Sequence, residues 1–325
     1  MVDVLVTTAT TNFDKTVTAL VRATIEENLR KATVWLQVGS YETGHLIPGT
    51  NLIRHIAYGD LTVTTGTVVP GTPPWLTEGV PPSAEALAIG YAEYGANQAG
   101  RLVGLSDISL AESPHALFAI AAERVGFNAV ATLDQQVAET ISAGTSVSYA
   151  STAVSRVTVT AAMPLNGLEV RKMVARLKAL NIPTFPDGTY HAILSPQASF
   201  DIMNDTATGG WLDANKYAQP SLFQNGEIGR FFGVTFYESN VGTYLGALGA
   251  AGAKVYSTVF FGPRFFAFGD LQSVQAYMVR PGGDHADPLA QKAYVGWKAM
   301  WGTKLLALAE AGGAHYIRLE HGGSL

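Results

Sequence analysis

The residue types best suited to proton transfer or metal binding are scattered in this chain. Seven histidines stand at positions 45, 55, 115, 191, 285, 315 and 321, and no two have the H-x-x-x-H spacing that places a pair of imidazoles on one helix face. Asp284-His285-Ala-Asp287 is the best metal-like cluster, but ahead of Pro288 it reads as a polar turn. Asp201 and Asp205 could share a helix face around Asn204 and bind a cation. With so few oxygen ligands they read as a solvated face. His191, on a strand-like run with no partner acid implied, reads as a satisfied side chain rather than a catalyst. Neither a G-x-S-x-G elbow nor a G-x-x-x-x-G-K-[ST] phosphate loop is present. Gly246-Ala-Leu-Gly249-Ala-Ala-Gly252 lacks the dinucleotide spacing and any following helix, so it reads as a loop. Asn204-Asp-Thr206 matches a glycosylation acceptor, with no secretory signal to make use of it. There is no cysteine, which excludes disulfides, thiolate metal sites and a cysteine nucleophile. No catalytic, cofactor-binding or metal constellation emerges, and the expectation is a protein that is not an enzyme.

The elements themselves are more informative. Val17, Leu20, Val21 and Ile25 recur at helical spacing within residues 13–30, an apolar stripe with no partner in the segment that follows. That stripe reads as the contact face of an arm packing on something distant. Residues 58–106 are punctuated by proline and glycine. Strand-like runs at Leu61–Thr65 and Leu87–Tyr94 flank the proline-rich middle, which suggests an extended hairpin excursion. Residues 113–142 give the strongest helical signal, with Ser113-Pro114 as its start. Leu117, Ala121, Val125, Ala129, Leu133, Val137 and Ile141 fall four apart. Such a stripe winds by about 40° per step, as expected of a helix roughly 45 Å long that crosses several neighbours. Gly144 is its natural terminator.

Further along, Arg156–Thr160 alternates like a strand. Asn166 with Glu169 forms a capping signature for a helix whose apolar face is Val170, Met173, Val174 and Leu177. Its basic face, Arg171, Lys172, Arg176 and Lys178, suits solvent, a neighbour's carboxylates or packaged nucleic acid. Asn181-Ile-Pro183 stops it, and Pro186-Asp-Gly188 is a turn. Strands are expected at Tyr190–Leu194, Val234–Tyr237, Lys254–Phe261, Phe265–Phe268, Val274–Val279 and His315–Glu320, and a short helix at Ser199–Asn204. Residues 210–230 and 242–252 read as loops, and 289–301 as a segment of unassigned type.

Composition points the same way. The 325 residues are 47% hydrophobic and only 14% charged, against about 25% charged in an average soluble domain. Such a chain buries much of its surface, in itself or against copies of itself. The net charge of −5, with no Lys/Arg block, excludes tight nucleic-acid binding. The longest nearly apolar stretch, Tyr244–Ala253, is too short to span a bilayer, and a soluble intracellular product is expected.

In this order and spacing the blocks resemble the major capsid proteins of tailed bacteriophages with the Hong Kong 97-type fold, and specifically the N-four-like phage capsid family. Trp75-Leu-Thr-Glu-Gly-Val-Pro81 looks like that family's extended-loop stretch, and Ala92-Glu-Tyr-Gly95 with Ser106-Asp107 like its return strand. Leu133-Asp134 and Ala138-Glu-Thr-Ile141 match its long helix. Pro186-Asp-Gly-Thr-Tyr190, Leu194-Ser-Pro196 and Asp201 follow, with Ser195 where the family usually has His. Asn225-Gly-Glu-Ile-Gly229, Gly233, Glu238-Ser239 and Asp287-Pro-Leu289 through Lys298 complete the match.

The resemblance implies an α+β fold with an N-terminal arm (1–57), an extended loop (58–106), a peripheral domain with a long spine helix (107–181 and 274–325) and an axial domain (182–273). It implies contacts between subunits through Trp75, Leu76, Glu78 and Val80 of the loop, through Glu227, Ile228 and Arg230 of the axial domain, and through the arm stripe. The implied function is a coat protein that assembles into hexamers and pentamers of an icosahedral head around double-stranded DNA. Its implied location is the virion, assembled in the host bacterial cytoplasm. Implied partners are copies of itself, a separate scaffolding protein, a portal, decoration proteins and weakly held DNA, with no cofactor, metal or membrane. An encapsulin-like nanocompartment shell shares the fold and is the alternative. An α/β enzyme with an oligomeric active site is a third reading, one that needs a constellation the residues do not supply.

Overall fold

The computed structural model describes residues 34–38, 41–43, 45–58, 79, 89–112, 117–205, 227–282, 287, 289–308 and 313–324. The expected arm helix, the strand-like Leu61–Thr65, the proline-rich middle and the Ser113-Pro114 cap lie outside the described residues. The described chain begins with α1 (Val34–Val38), β1 (Tyr41–Thr43), β2 (His45–Leu46), β3 (Leu52–Tyr58), β4 (Ile89–Gly95) and β5 (Asn97–Ser106). It continues through α2 (Asp107–Glu112), α3 (Leu117–Ser142), β6 (Val147–Tyr149), α4 (Gly167–Ala179), β7 (Tyr190–Leu194) and α5 (Pro196–Met203). It then runs through β8 (Glu227–Phe231), β9 (Val234–Glu238), β10 (Tyr244–Gly246), β11 (Val255–Phe261) and β12 (Phe266–Val279). The last elements are β13 (Lys292–Leu305), β14 (Ala307–Leu308), β15 (Gly313–Ala314) and β16 (Tyr316–Gly322).

Two sheets do most of the work. A seven-stranded mixed sheet has the order β6-β16-β11-β7-β9-β8, with β10 added on β11. A four-stranded sheet has the order β1-β12-β13-β5. The expected hairpin excursion has its base in a third sheet, where β3 and β4 pair antiparallel from Leu52↔Gly95 to Tyr58↔Ile89. Alternation along the central strands of the large sheet separates its two faces. Ala192, Leu194, Phe260, Ile317 and Leu319 meet Val170, Met173 and Leu177 of α4 and Ile202 of α5 on one side. Ile193, Val259, Phe261 and Tyr316 meet Val137, Ala138 and Ile141 of α3 on the other. All seven residues of β11 are therefore buried.

The winding stripe on α3 does what its spacing of four implies. Ala121, Val125, Ala129 and Leu133 pack on Val295, Trp297, Ala299 and Trp301 of β13. The later members, Val137 and Ile141, have rotated onto the large sheet. At 26 residues the described helix is about 39 Å long. Gly144 ends it where any Cβ would lie 1.7 Å from the Tyr316 hydroxyl. Asn166 caps α4 by accepting from the Glu169 N–H at 3.0 Å. The Glu169 carboxylate instead accepts from Ser151 N and Lys172 Nζ. The four apolar positions of α4 are buried and its four basic positions exposed. Gly188, at φ +76°, completes the 186–188 turn.

Several expectations are corrected. Residues 156–158 form a 3-10 turn, not a strand. The Thr158 hydroxyl accepts from Ser155 N and donates to Ser155 O there, and the alternation of exposed Val157 with buried Val159 arises without a ladder. The two strands expected at 265–268 and 274–279 are one strand, β12, whose register shifts fall at 270–275, in the interval left between them. Glu227–Phe231, which overlaps the end of the expected loop 210–230, pairs with β9 as β8. Tyr244–Gly246, inside the second expected loop, pairs with β11. The unassigned 289–301 segment is largely β13, and Asp107–Glu112 is a helix that no apolar stripe announced.

Candidate functional site

The candidate chemical residues resolve into structural contacts. Asp201 is buried and accepts from Ser324 N at 3.3 Å and from the Ser324 hydroxyl. Asp205 Oδ2 accepts from Gly167 N at 2.8 Å, at the start of α4. The two carboxylates thus each hold backbone, and they are not a solvated face. His191 stacks on Phe185 with centroids 3.8 Å apart, and its Nε2 lies 3.4 Å from Asp187 Oδ2. Burial acts to raise the Asp187 carboxyl, but bonds from the Thr189 hydroxyl and N–H and from His191 outweigh it and hold it below the usual carboxylate value. His285 and Asp284 lie outside the described residues. Asp287 Oδ2 accepts from Lys292 N at 2.7 Å, closing the turn into β13. Among the described residues no group of three or more His, Asp or Glu could hold a metal ion. Among them, too, no helix is long and apolar enough to cross a membrane.

Two buried charged sites were missed by sequence reasoning. Glu320, on β16, is fully buried and takes a forked pair of bonds from Arg156, Nε at 2.8 Å and Nη2 at 2.6 Å. Arg318 Nη2 adds a third contact at 3.1 Å, while its Nη1 donates to Ser142 O at the end of α3. A buried carboxylate is stable here because it is forked and paired on both sides. The second site is Asp134, in the middle of α3. Its Oδ1 accepts from Trp35 N at 3.0 Å. Burial pushes its carboxyl up to about 6, against the pull of the N–H groups of Trp35, Val34 and Leu36. The available signal was positional: Val130, Asp134 and Ala138 fall four apart, and all three are buried.

The long helix and β13 are stitched by side chains two turns apart. Trp297 Nε1 donates to Asn128 Oδ1 at 3.1 Å, and Trp301 Nε1 to Gln136 Oε1 at 2.6 Å. The two indoles stack at 5.9 Å. This satisfies both buried N–H groups and fixes the helix in register on the sheet.

The opposite face of that sheet is covered at one end, where Ile53 and Tyr94 pack with Ala267 of β12 and Leu306, and among the described residues it is uncovered around Gly296. Register places Leu102 beside Gly296 and Gly100 beside Lys298, with Tyr277 on the far side of Gly296. The glycines leave a shallow trough of about 330 Å³, walled by Leu102 and Tyr277 and edged by Arg101 and Lys298. Leu102 is 61% exposed, and Ile89 and Tyr91 of the hairpin are 63% and 68% exposed. Large exposed apolar side chains of this kind are candidates for contact surfaces.

Most of the expected contact residues lie outside the described residues. Trp75, Leu76, Glu78 and Val80, and Val17, Leu20, Val21 and Ile25, lie outside the described residues. Glu227 and Ile228 lie on β8, and Arg230 on the same strand is exposed, with Nη2 3.6 Å from Asp187.

Neither family models nor curated protein sequences match the chain. Solved structures do. The capsid of Ralstonia phage GP4 aligns at a TM-score of 0.71 and 12% identity, over 90% of this chain and 92% of that chain. The cyanophage Pam1 capsid aligns at 0.64 and 15% identity, over 84% and 85%. The capsid of cyanophage P-SCSP1u aligns at 0.63 and 15% identity, over 90% and 89%. At such identities the likeness is one of fold, and the chain has the Hong Kong 97-type capsid fold.

Proposed function

We propose that this chain is the major capsid protein of a tailed bacteriophage. In this reading it assembles into hexamers and pentamers of an icosahedral head around double-stranded DNA. The observation that supports it most is the fold match, which runs over nine-tenths of both chains. The open trough and the exposed hairpin add to it, because a shell subunit needs heterologous contacts on surfaces that its own fold leaves bare. The role is structural rather than enzymatic. The N-four-like group is the family we assign, on its sequence blocks.

On this reading residues 1–57 are the arm and 58–106 the loop that reaches over a neighbour, through Trp75, Leu76, Glu78 and Val80. The peripheral body is residues 107–181 and 274–325 apart from α4 and β16, and it includes α3. The axial body is residues 182–273, with Glu227, Ile228 and Arg230 at its contacts. We add α4 and β16 to the axial body, because they share its sheet and core. Partners are further copies of the chain, a scaffolding protein, a portal, decoration proteins and loosely held DNA. The site of assembly is the host bacterial cytoplasm, and the destination is the virion.

Sedimentation and negative-stain electron microscopy of the purified chain test this. Closed particles of megadalton mass are expected, and native particles are expected to hold nuclease-protected DNA. Particles that hold protein cargo and no DNA would make it a nanocompartment shell. A persistent monomer or small ring in the presence of its own scaffold and portal would end the reading. Truncating residues 66–84 is expected to leave a folded chain that does not assemble, and heat-resistant shells from that truncation would refute the role given to the loop.

A further inference from the structure

Among the described residues, the strands that end the sheets are mostly short, shifted in register or capped. β1 and β6 are three residues long. β8 has five residues, and its register shifts between Glu227 and Gly229. The seven-residue β4 has its Glu93 carbonyl taken by Lys304 Nζ at 2.9 Å. β5 differs from all of these. It runs for ten residues at the end of the four-stranded sheet and pairs with β13 from Asn97 to Ser106 without a register shift. It holds no proline, and Arg101 is its one charged residue. Long, straight edges of low charge are templates for another strand, whereas short, bulged or charged edges discourage one.

The ladder fixes which groups of β5 point outward. Asp107 N donates to Gln291 O at 3.0 Å, one step past the Ser106↔Lys292 pair. Hydrogen-bonded and non-hydrogen-bonded pairs alternate in an antiparallel ladder. Odd-numbered residues of β5 therefore turn N–H and C=O to β13, and Gln98, Gly100, Leu102, Gly104 and Ser106 turn theirs away from it. All five are exposed. Their side chains lie on the trough face, opposite the α3 face that Ala99, Val103 and Leu105 occupy.

We propose that β5 pairs antiparallel with β5 of a second copy, about a two-fold axis at Leu102. The occupant is a second copy because the strand is its own complement. With the axis at Leu102, Gln98 faces the partner's Ser106, Gly100 faces the partner's Gly104, and the two Leu102 side chains meet. Arg101 then faces the partner's Val103. An axis one residue earlier would oppose Arg101 to itself, and later axes shorten the overlap. The pairing covers the exposed Leu102 and joins the two troughs across the axis. It occupies the free edge of both copies, so it closes as a pair and does not propagate. This goes beyond the shell reading, because a two-fold pair needs no shell, and failure of either leaves the other standing.

The chain has no cysteine, so an introduced thiol has no native partner. Directly opposed residues of a hydrogen-bonded antiparallel pair have Cα atoms about 5.5 Å apart, within the span of a disulfide. Under mild oxidation of the full-length chain, in whatever assembly it forms, Leu102→Cys is expected to give a disulfide-linked dimer. Gln98→Cys alone lies far from its own copy in this register and is expected to link at least about tenfold more slowly. Gln98→Cys combined with Ser106→Cys is expected to restore rapid linking. Adding Leu102→Pro to that double variant removes an outward N–H and leaves the β13 ladder intact. It is expected to slow the link by about tenfold, with an unchanged far-ultraviolet circular dichroism spectrum. No link through Leu102→Cys, as a different occupant of the edge would give, would overturn the proposal. So would equal rates for Leu102→Cys and Gln98→Cys, or a link that Leu102→Pro does not slow.

Discussion

The two large sheets are finished to different degrees. The seven-stranded sheet has α4 and α5 on one face and the end of α3 on the other, so its central strand β11 carries no exposed residue. The four-stranded sheet has α3 on one face only. Its other face shows Leu102, Tyr277 and a glycine-floored trough. One sheet is covered on both faces, and the other has a mixed face that is covered at one end by Ile53 and Tyr94 and is left uncovered around Gly296 among the described residues. Stability should therefore reside in the first sheet and assembly in the second.

The largest effect tests the complete sheet. Phe260 is fully buried and meets Phe236 edge-on at 6.3 Å. Phe260→Ala is expected to cost about 3–5 kcal/mol, read as a lowered urea midpoint. A loss below about 1 kcal/mol would mean that this sheet is not where the stability lies. Glu320→Ala comes next. It strands the buried Arg318 beside an empty position, at a cost on the order of 3–4 kcal/mol by the same measurement.

Asp134 sits where the two regions meet, and its effect has a sign. Its folded value of about 6 lies above the ordinary 3.8, so the folded chain binds this proton more tightly than the unfolded one. The stability it contributes is present below about pH 4 and is lost as pH rises through 6, on the order of 3 kcal/mol at most. The difference between wild type and Asp134→Asn isolates it from other carboxylates. A difference that is flat from pH 4 to 7, or that grows in the opposite direction, would refute the burial argument. The smallest effect on stability tests the open sheet. Leu102→Ser with Tyr277→Ser is expected to change folding stability by no more than about 0.5 kcal/mol. The same pair is expected to abolish particles in electron micrographs. Normal particles would show that this face is not a contact.

How much was legible depended on how local the signal was. The winding stripe of α3, the Asn166 cap, the 186–188 turn and the strand at 190–194 were readable because each is set by residues within a few turns of one another. The strand expected at 156–160 failed because Val157 and Val159 alternate without a partner strand, and a serine–threonine pair closed a turn instead. The break read between Phe268 and Val274 was real, but it is a pair of register shifts within one strand rather than an end. The polar sites were hidden for a similar reason. Asp134 and Glu320 look like ordinary surface carboxylates until Trp35 and Arg156, about a hundred residues or more away, are brought to them.

By itself the amino-acid sequence determined the low charge, the lack of cysteine, and the local periods that make a long helix. These depend on residue type and on neighbours in the chain. Only the tertiary structure decided that β16 joins β11 and β7, that α4 shares their core, and that one sheet is covered on both faces while the other, among the described residues, is left uncovered around Gly296. Those outcomes rest on pairing between segments far apart, where register and facing are chosen by what packs against what, and no local pattern records that choice.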